Sequence, residues 1–95
     1  MPRPTAKVSK VLLNKGFTLD EKRDHNCFYL LNTDGTKSVV WTKISHGSKK
    51  DIHDGLLGQM MREMRLKKPQ FNEYMDCTLT KEMYLEILKK EGLYH

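Results

Sequence analysis

Two apolar runs joined by a turn dipeptide constrain this chain more than anything else in it. Asn26 to Asn32 is rich in aromatic and aliphatic residues, and Lys37 to Ile44 carries Val39, Val40 and Trp41 at its centre. Between them, Thr33-Asp34-Gly35-Thr36 contains an Asp-Gly pair, which tolerates the positive φ angles that a tight hairpin needs. The pattern predicts an antiparallel hairpin. Alternation puts Cys27, Tyr29 and Leu31 on one face and Phe28 and Leu30 on the other. The polar stretch from Thr18 to Asp24 reads as an exposed edge strand, or a strand and loop, ahead of that hairpin.

Amphipathic helices flank the strands. Val8, Val11 and Leu12 recur at helical spacing and predict a helix from Thr5 to Lys15, with Lys7, Lys10 and Lys15 off the apolar stripe. Gly16 is a natural left-handed stop, and Phe17 is placed to fold back on the helix. Ile52, Leu56, Met60 and Met64 define a second helix from Lys50 or Asp51 to Arg65, with Leu57 and Met61 widening its face and His53 on its surface. Asp51 suits the start of that helix, and Gly55 and Gly58 lower its propensity. The methionine stripe reads as core before it reads as an adaptable groove. Pro69 opens a short helical turn through Phe71, Tyr74 and Met75. Thr80 caps a last helix, Lys81 to Glu91, whose apolar face is Tyr84, Leu85, Ile87 and Leu88 and which Gly92 ends.

The order predicts an α+β fold, a three-stranded antiparallel sheet packed on helices, with residues 66–95 as a C-terminal helical extension. At 95 residues, the chain has room for one small domain. No apolar run approaches the ~20 residues of a membrane span, and Met1-Pro2-Arg3-Pro4 lacks a signal-like stretch, so the expectation is a cytoplasmic protein away from membranes. Cys27 and Cys77 form no Cys-x-x-Cys pair; a disulfide between them is open, with reduced thiols the plainer reading.

The net charge of +5 is unevenly spread. Residues 1–50 hold ten Lys or Arg against four Asp or Glu, or +6, whereas residues 51–95 hold seven against eight, or −1. The basic excess therefore lies in the half that carries Lys22-Arg23-Asp24-His25-Asn26-Cys27-Phe28-Tyr29, which fits a polyanion-binding face. A histidine heading a strand can take or give a proton near neutral pH, and basic neighbours can hold a phosphate. Trp41 and Phe28 are able to stack on bases, but strand aromatics more commonly fill a core. His25, Cys27, His46 and His53 show no tight metal-ligand spacing.

The local sequences, taken in order, resemble the HicA family of toxins. The matching stretches are Val11-Leu12-Leu13-Asn14-Lys15-Gly16-Phe17, the His25 segment, Asp34-Gly35, His46, and Asp51-Ile52-His53-Asp54-Gly55-Leu56-Leu57-Gly58-Gln59-Met60-Met61-Arg62. They cover residues 5 to about 65, with Arg23-Asp24 standing where that family has Gly-Ser before its histidine. The resemblance implies a double-stranded-RNA-binding-like (dsRBD-like) α-β-β-β-α fold. It also implies a metal-independent ribonuclease, without cofactor, that cuts messenger RNA and is silenced by a cognate antitoxin protein. Carried over, the catalytic residue is His25. His46 is a possible auxiliary acid, and Lys22, Arg23 and Lys43 are candidate phosphate clamps. Asp24 is placed to orient His25. A non-catalytic RNA-binding module and a protein-interaction adaptor are the competing readings.

Overall fold

The computed structural model describes residues 2–23, 25–45 and 50–95. It is α+β, with a three-stranded antiparallel sheet and four helices among the described residues. A two-residue strand β1 (Arg3–Pro4) leads into α1 (Thr5–Asn14); β2 (Phe17–Glu21), β3 (His25–Leu31) and β4 (Lys37–Ser45) follow. A second two-residue strand, β5 (Asp51–Ile52), precedes α2 (Asp54–Glu63), α3 (Lys68–Met75) and α4 (Lys81–Lys90). The main sheet has the order β2-β3-β4, and β1 pairs antiparallel with β5.

Gly16 does leave α1 in the left-handed region, at φ +100°. Phe17 opens β2 and is buried in the cluster that holds Val8, Val11 and Leu12 of α1, stacked on Tyr84 at 6.3 Å. Across the strands, Phe17, Phe28, Leu30, Val40 and Ile44 share the core face. The buried side chains of all four helices belong to the same cluster, so the helices lie on that one face. Each fully buried Leu, Phe or Met contributes roughly 1.5–3 kcal/mol.

Three expectations about local structure are corrected. The second helix starts at Asp54, not at Lys50 or Asp51. Ile52 is fully buried, but as a β5 residue opposite Arg3, and the Thr5 N–H donates to the Lys50 carbonyl at 3.0 Å. His53 is exposed, as expected, but it is the N-cap of α2 rather than a residue within the helix, its Nδ1 accepting from the Leu56 N–H at 3.3 Å. In the hairpin, only Gly35 has positive φ, at +88°. Asn32 N–H donates to the Thr36 carbonyl at 2.7 Å, so the loop has three residues, not two. Asp34, its central residue, stabilises it by accepting from Thr36 N–H and Oγ1 at 3.0 and 2.6 Å.

Residues 66–95 share the core with the rest of the chain. Phe71, Tyr74, Met75, Leu79, Tyr84 and Leu88 are buried among Val8, Leu12 and Phe17. Lys15 reaches across to donate to the carbonyls of Tyr74 and Leu79 at 2.8 and 2.9 Å. Burial lowers its amine below the ordinary value. Burial also pushes the phenols of Tyr74 and Tyr84 above their ordinary value of 10.0. Above that pH the unfolded chain loses phenolic protons that the folded chain keeps, so stability falls as pH rises. The expected loss is up to about 1.4 kcal/mol per pH unit per tyrosine. Urea midpoints measured from about pH 9 to 11 should decline, with the decline nearly halved in Tyr74→Phe; a flat profile overturns the paired burial.

Candidate functional site

The sheet face away from the helices carries His25 and Lys43. His25 heads the central strand β3, half-buried and opposite Ser45 of β4. Its carbonyl accepts from the Lys22 N–H at 2.9 Å, which closes the β2–β3 connection. By alternation, His25 shares its face with Cys27 and Tyr29, away from Phe28 and Leu30. Register sets Asp20, Cys27 and Lys43 in one cross-strand row and Thr18, Tyr29 and Trp41 in the next. The structure thus brings His25 and Lys43 onto one open face.

Lys22 and Arg23 are both exposed just beyond β2. Lys22 is drawn into an ion pair: its Nζ lies 3.1 Å from Asp20 Oδ2, and Lys37 Nζ lies 3.6 Å from the same oxygen. The hydrogen bond from Lys22 holds the Asp20 carboxyl below its ordinary value and raises the Lys22 amine in return. Lys37 also sits 4.1 Å above the Tyr29 ring, a cation–π contact. Asp24 and His46 lie outside the described residues, so the orienting role of the one and the acid role of the other rest on sequence alone.

The two aromatic candidates separate. Phe28 is 1% exposed and belongs to the core, whereas Trp41 is 37% exposed, stacked on Tyr29 at 6.2 Å. Tyr29 and Lys37 escaped the sequence reading; the alternation that placed Tyr29 opposite to Phe28 was the available signal. Both cysteines are free thiols, Cys27 buried between its charged cross-strand partners and Cys77 exposed. Among the described residues no group of three His, Cys, Asp or Glu could hold a metal ion.

A larger groove of about 730 Å³ lies between α1, α2 and α3, lined by Val11, Leu57, Met61 and Phe71. Arg3 at its edge is already spent on Asp76 and Asn72, at 2.9 and 3.1 Å. Lys22, Arg23, His25 and Lys43 do not line it. No described helix is long and apolar enough to cross a membrane. In comparisons with family models, with curated proteins and with solved structures, nothing matches this chain.

Proposed function

We propose that the chain is a HicA-like endoribonuclease that needs no metal, the toxin of a type II toxin–antitoxin pair, cutting messenger RNA through His25. The observation that carries this reading is the position of His25. It is half-exposed at the head of the central strand, on the helix-free face, with Lys43 on the same face. The succession α1, β2, β3, β4, α2 over residues 5–63, interrupted only by the two-residue β5 outside the main sheet, supports a dsRBD-like arrangement.

The chemistry follows from those groups. His25 removes the proton of the 2′-hydroxyl, whose oxygen attacks the adjacent phosphorus. Lys43 offsets charge on the crowded phosphorane, and Lys22 and Arg23 steer the backbone toward it. The bond to the 5′-oxygen breaks, that oxygen takes a proton from an acid, and the products are a 2′,3′-cyclic phosphate and a free 5′-hydroxyl. A cognate antitoxin would cover the His25 face. Incubating labelled single-stranded and hairpin RNA with the protein in EDTA tests the reading. Fragments ending in cyclic phosphate support it, and intact RNA overturns it.

Two observations favour a non-catalytic RNA-binding module as the second reading. The cross-strand partner of His25 is Ser45, not a second acid or base, and Asp20 pairs with two of the nearby lysines and offsets one of their two charges. Either reading makes Asp20 a brake on RNA affinity. Asp20→Asn is expected to tighten RNA binding and to steepen the slope of log affinity against log salt by about 0.7 to 1.4. Fluorescence anisotropy at several salt concentrations measures this; an unchanged slope would mean that RNA does not approach Lys22 or Lys37.

A further inference from the structure

Beside β4, the rim of the open face becomes a shallow recess of about 330 Å³. Val39 and Trp41 of β4 wall one side; Gln59, Arg62, Glu63 and Arg65, from α2 and the turn after it, wall the other. The β3–β4 ladder slips between Tyr29 and Leu31, where β4 advances four residues against two. That bulge leaves Val39 64% exposed in the middle of an apolar strand. Tyr29 braces the indole of Trp41 from the sheet side, with the rings inclined at 30°.

Arg65 adds a cation to the rim of the recess. It sits at φ +64°, immediately after the C-cap of α2. Its N–H donates to the Arg62 carbonyl and the Leu66 N–H to the Met61 carbonyl, both at 3.1 Å. This is a Schellman ending, whose left-handed residue is most cheaply glycine. The end of α4 follows that rule with Gly92 at φ +73°, whereas the end of α3 places Cys77 there at φ +64°. At the recess the chain keeps an arginine instead. Glu63 makes no ion pair with it: Oε1 accepts from Thr42 Oγ1 at 2.8 Å and Oε2 from Gln59 Nε2 at 3.5 Å. Among the described residues, neither Arg62 nor Arg65 makes an ion pair.

We propose that this recess takes an unpaired base of single-stranded RNA, stacked on Trp41, with its flanking phosphates held by Arg62 and Arg65. The inference rests on the reading of the open face as RNA-binding and specifies which form of RNA it takes. A base can stack on a side chain only when it has left its helix, so duplex RNA does not fit. Trp41 lies four residues from Ser45, the partner of His25. That is roughly 13 Å along the strand, so the stacked base is a few nucleotides from the phosphate at His25.

Trp41 is the only tryptophan of the chain, and its emission reports on the recess directly. Single-stranded homopolymer RNAs of about 12 nucleotides should quench it, and a duplex of the same length should not. The titration is run in full-length His25→Ala, so that no RNA is consumed. Trp41→Ala, followed by anisotropy of labelled RNA, should weaken binding about 5- to 150-fold, and Trp41→Phe should restore much of it. Arg65→Gly separates binding from folding. It should keep a Tm at or above that of the parent while binding RNA more weakly, with a salt slope shallower by about 0.7. Equal quenching by duplex, or parental binding in both Trp41→Ala and Arg65→Gly, overturns the recess. If RNA is bound and quenches Trp41 but is never cut by the parent chain, the nuclease reading fails and the recess stands. If RNA is cut with unchanged kcat and KM in Trp41→Ala, the recess fails and the nuclease stands.

Discussion

His25→Ala is expected to slow RNA cleavage about 10²- to 10⁴-fold, the range that a positioned general base supplies. Folding should be nearly untouched, with the unfolding midpoint shifted by no more than about 0.5 kcal/mol. The reason is placement. His25 is half-exposed at a strand end, outside the apolar cluster, and its backbone pairing with Ser45 does not depend on the imidazole. The contrast with Lys43→Ala is informative. Lys43 acts only through charge, so its loss should raise KM and flatten the salt dependence by about 0.7 without abolishing product. Cyclic-phosphate ends counted over time for parent and His25→Ala, with thermal melts of both, decide the matter. Equal rates in the two proteins would remove His25 from the chemistry. Binding by both with no cutting by either would leave the chain as an RNA-holding module.

The parts legible in the sequence were those whose causes are local. The first helix is written in Val8, Val11, Leu12 and Gly16, and the last in Thr80, Tyr84, Leu88 and Gly92. The α2 boundary is ambiguous in the sequence because Ile52 stands four residues before Leu56, a spacing a helix would also use. Its true partner, Arg3, is remote in sequence and offers no local signal. The side-chain face of Trp41 depended on loop length. An Asp34-Gly35 turn of two residues would set Tyr29 opposite Val40, and Trp41 would then face the core. The three-residue loop, followed by a bulge that shifts register by an even number, sets Tyr29 opposite Trp41 and keeps both outside. The left-handed Arg65 was illegible for a related reason: glycine announces such a site, and arginine does not. His25 and Lys43 reach one face because both lie on strands of known parity, whereas the restraint of Lys22 by Asp20 needed side-chain geometry to be seen.

Tyr84→Ala is expected to cost about 3–5 kcal/mol, a large share of the roughly 5–14 kcal/mol available to a domain of this size. Tyr84 is fully buried, with Tyr74 edge-on at 5.0 Å and Phe17 stacked at 6.3 Å. It therefore joins α4, α3 and the start of the sheet in one contact set. Its hydroxyl donates to the Met64 carbonyl at 2.8 Å, at the end of α2, so one side chain ties the last helix to three other elements. Tyr84→Phe isolates the hydrogen bond and should cost about 0.5–2 kcal/mol. Tyr74→Phe should behave oppositely. The Tyr74 hydroxyl is buried with no hydrogen-bond partner among the described residues, so its removal should be neutral or stabilising. Urea unfolding of the three variants gives the order directly. A small loss in Tyr84→Ala would make residues 66–95 an appendage that the α1–α2 segment can do without. The expected large loss makes them part of the core that holds the His25 face flat, so removing them should abolish RNA binding by unfolding the sheet that presents it.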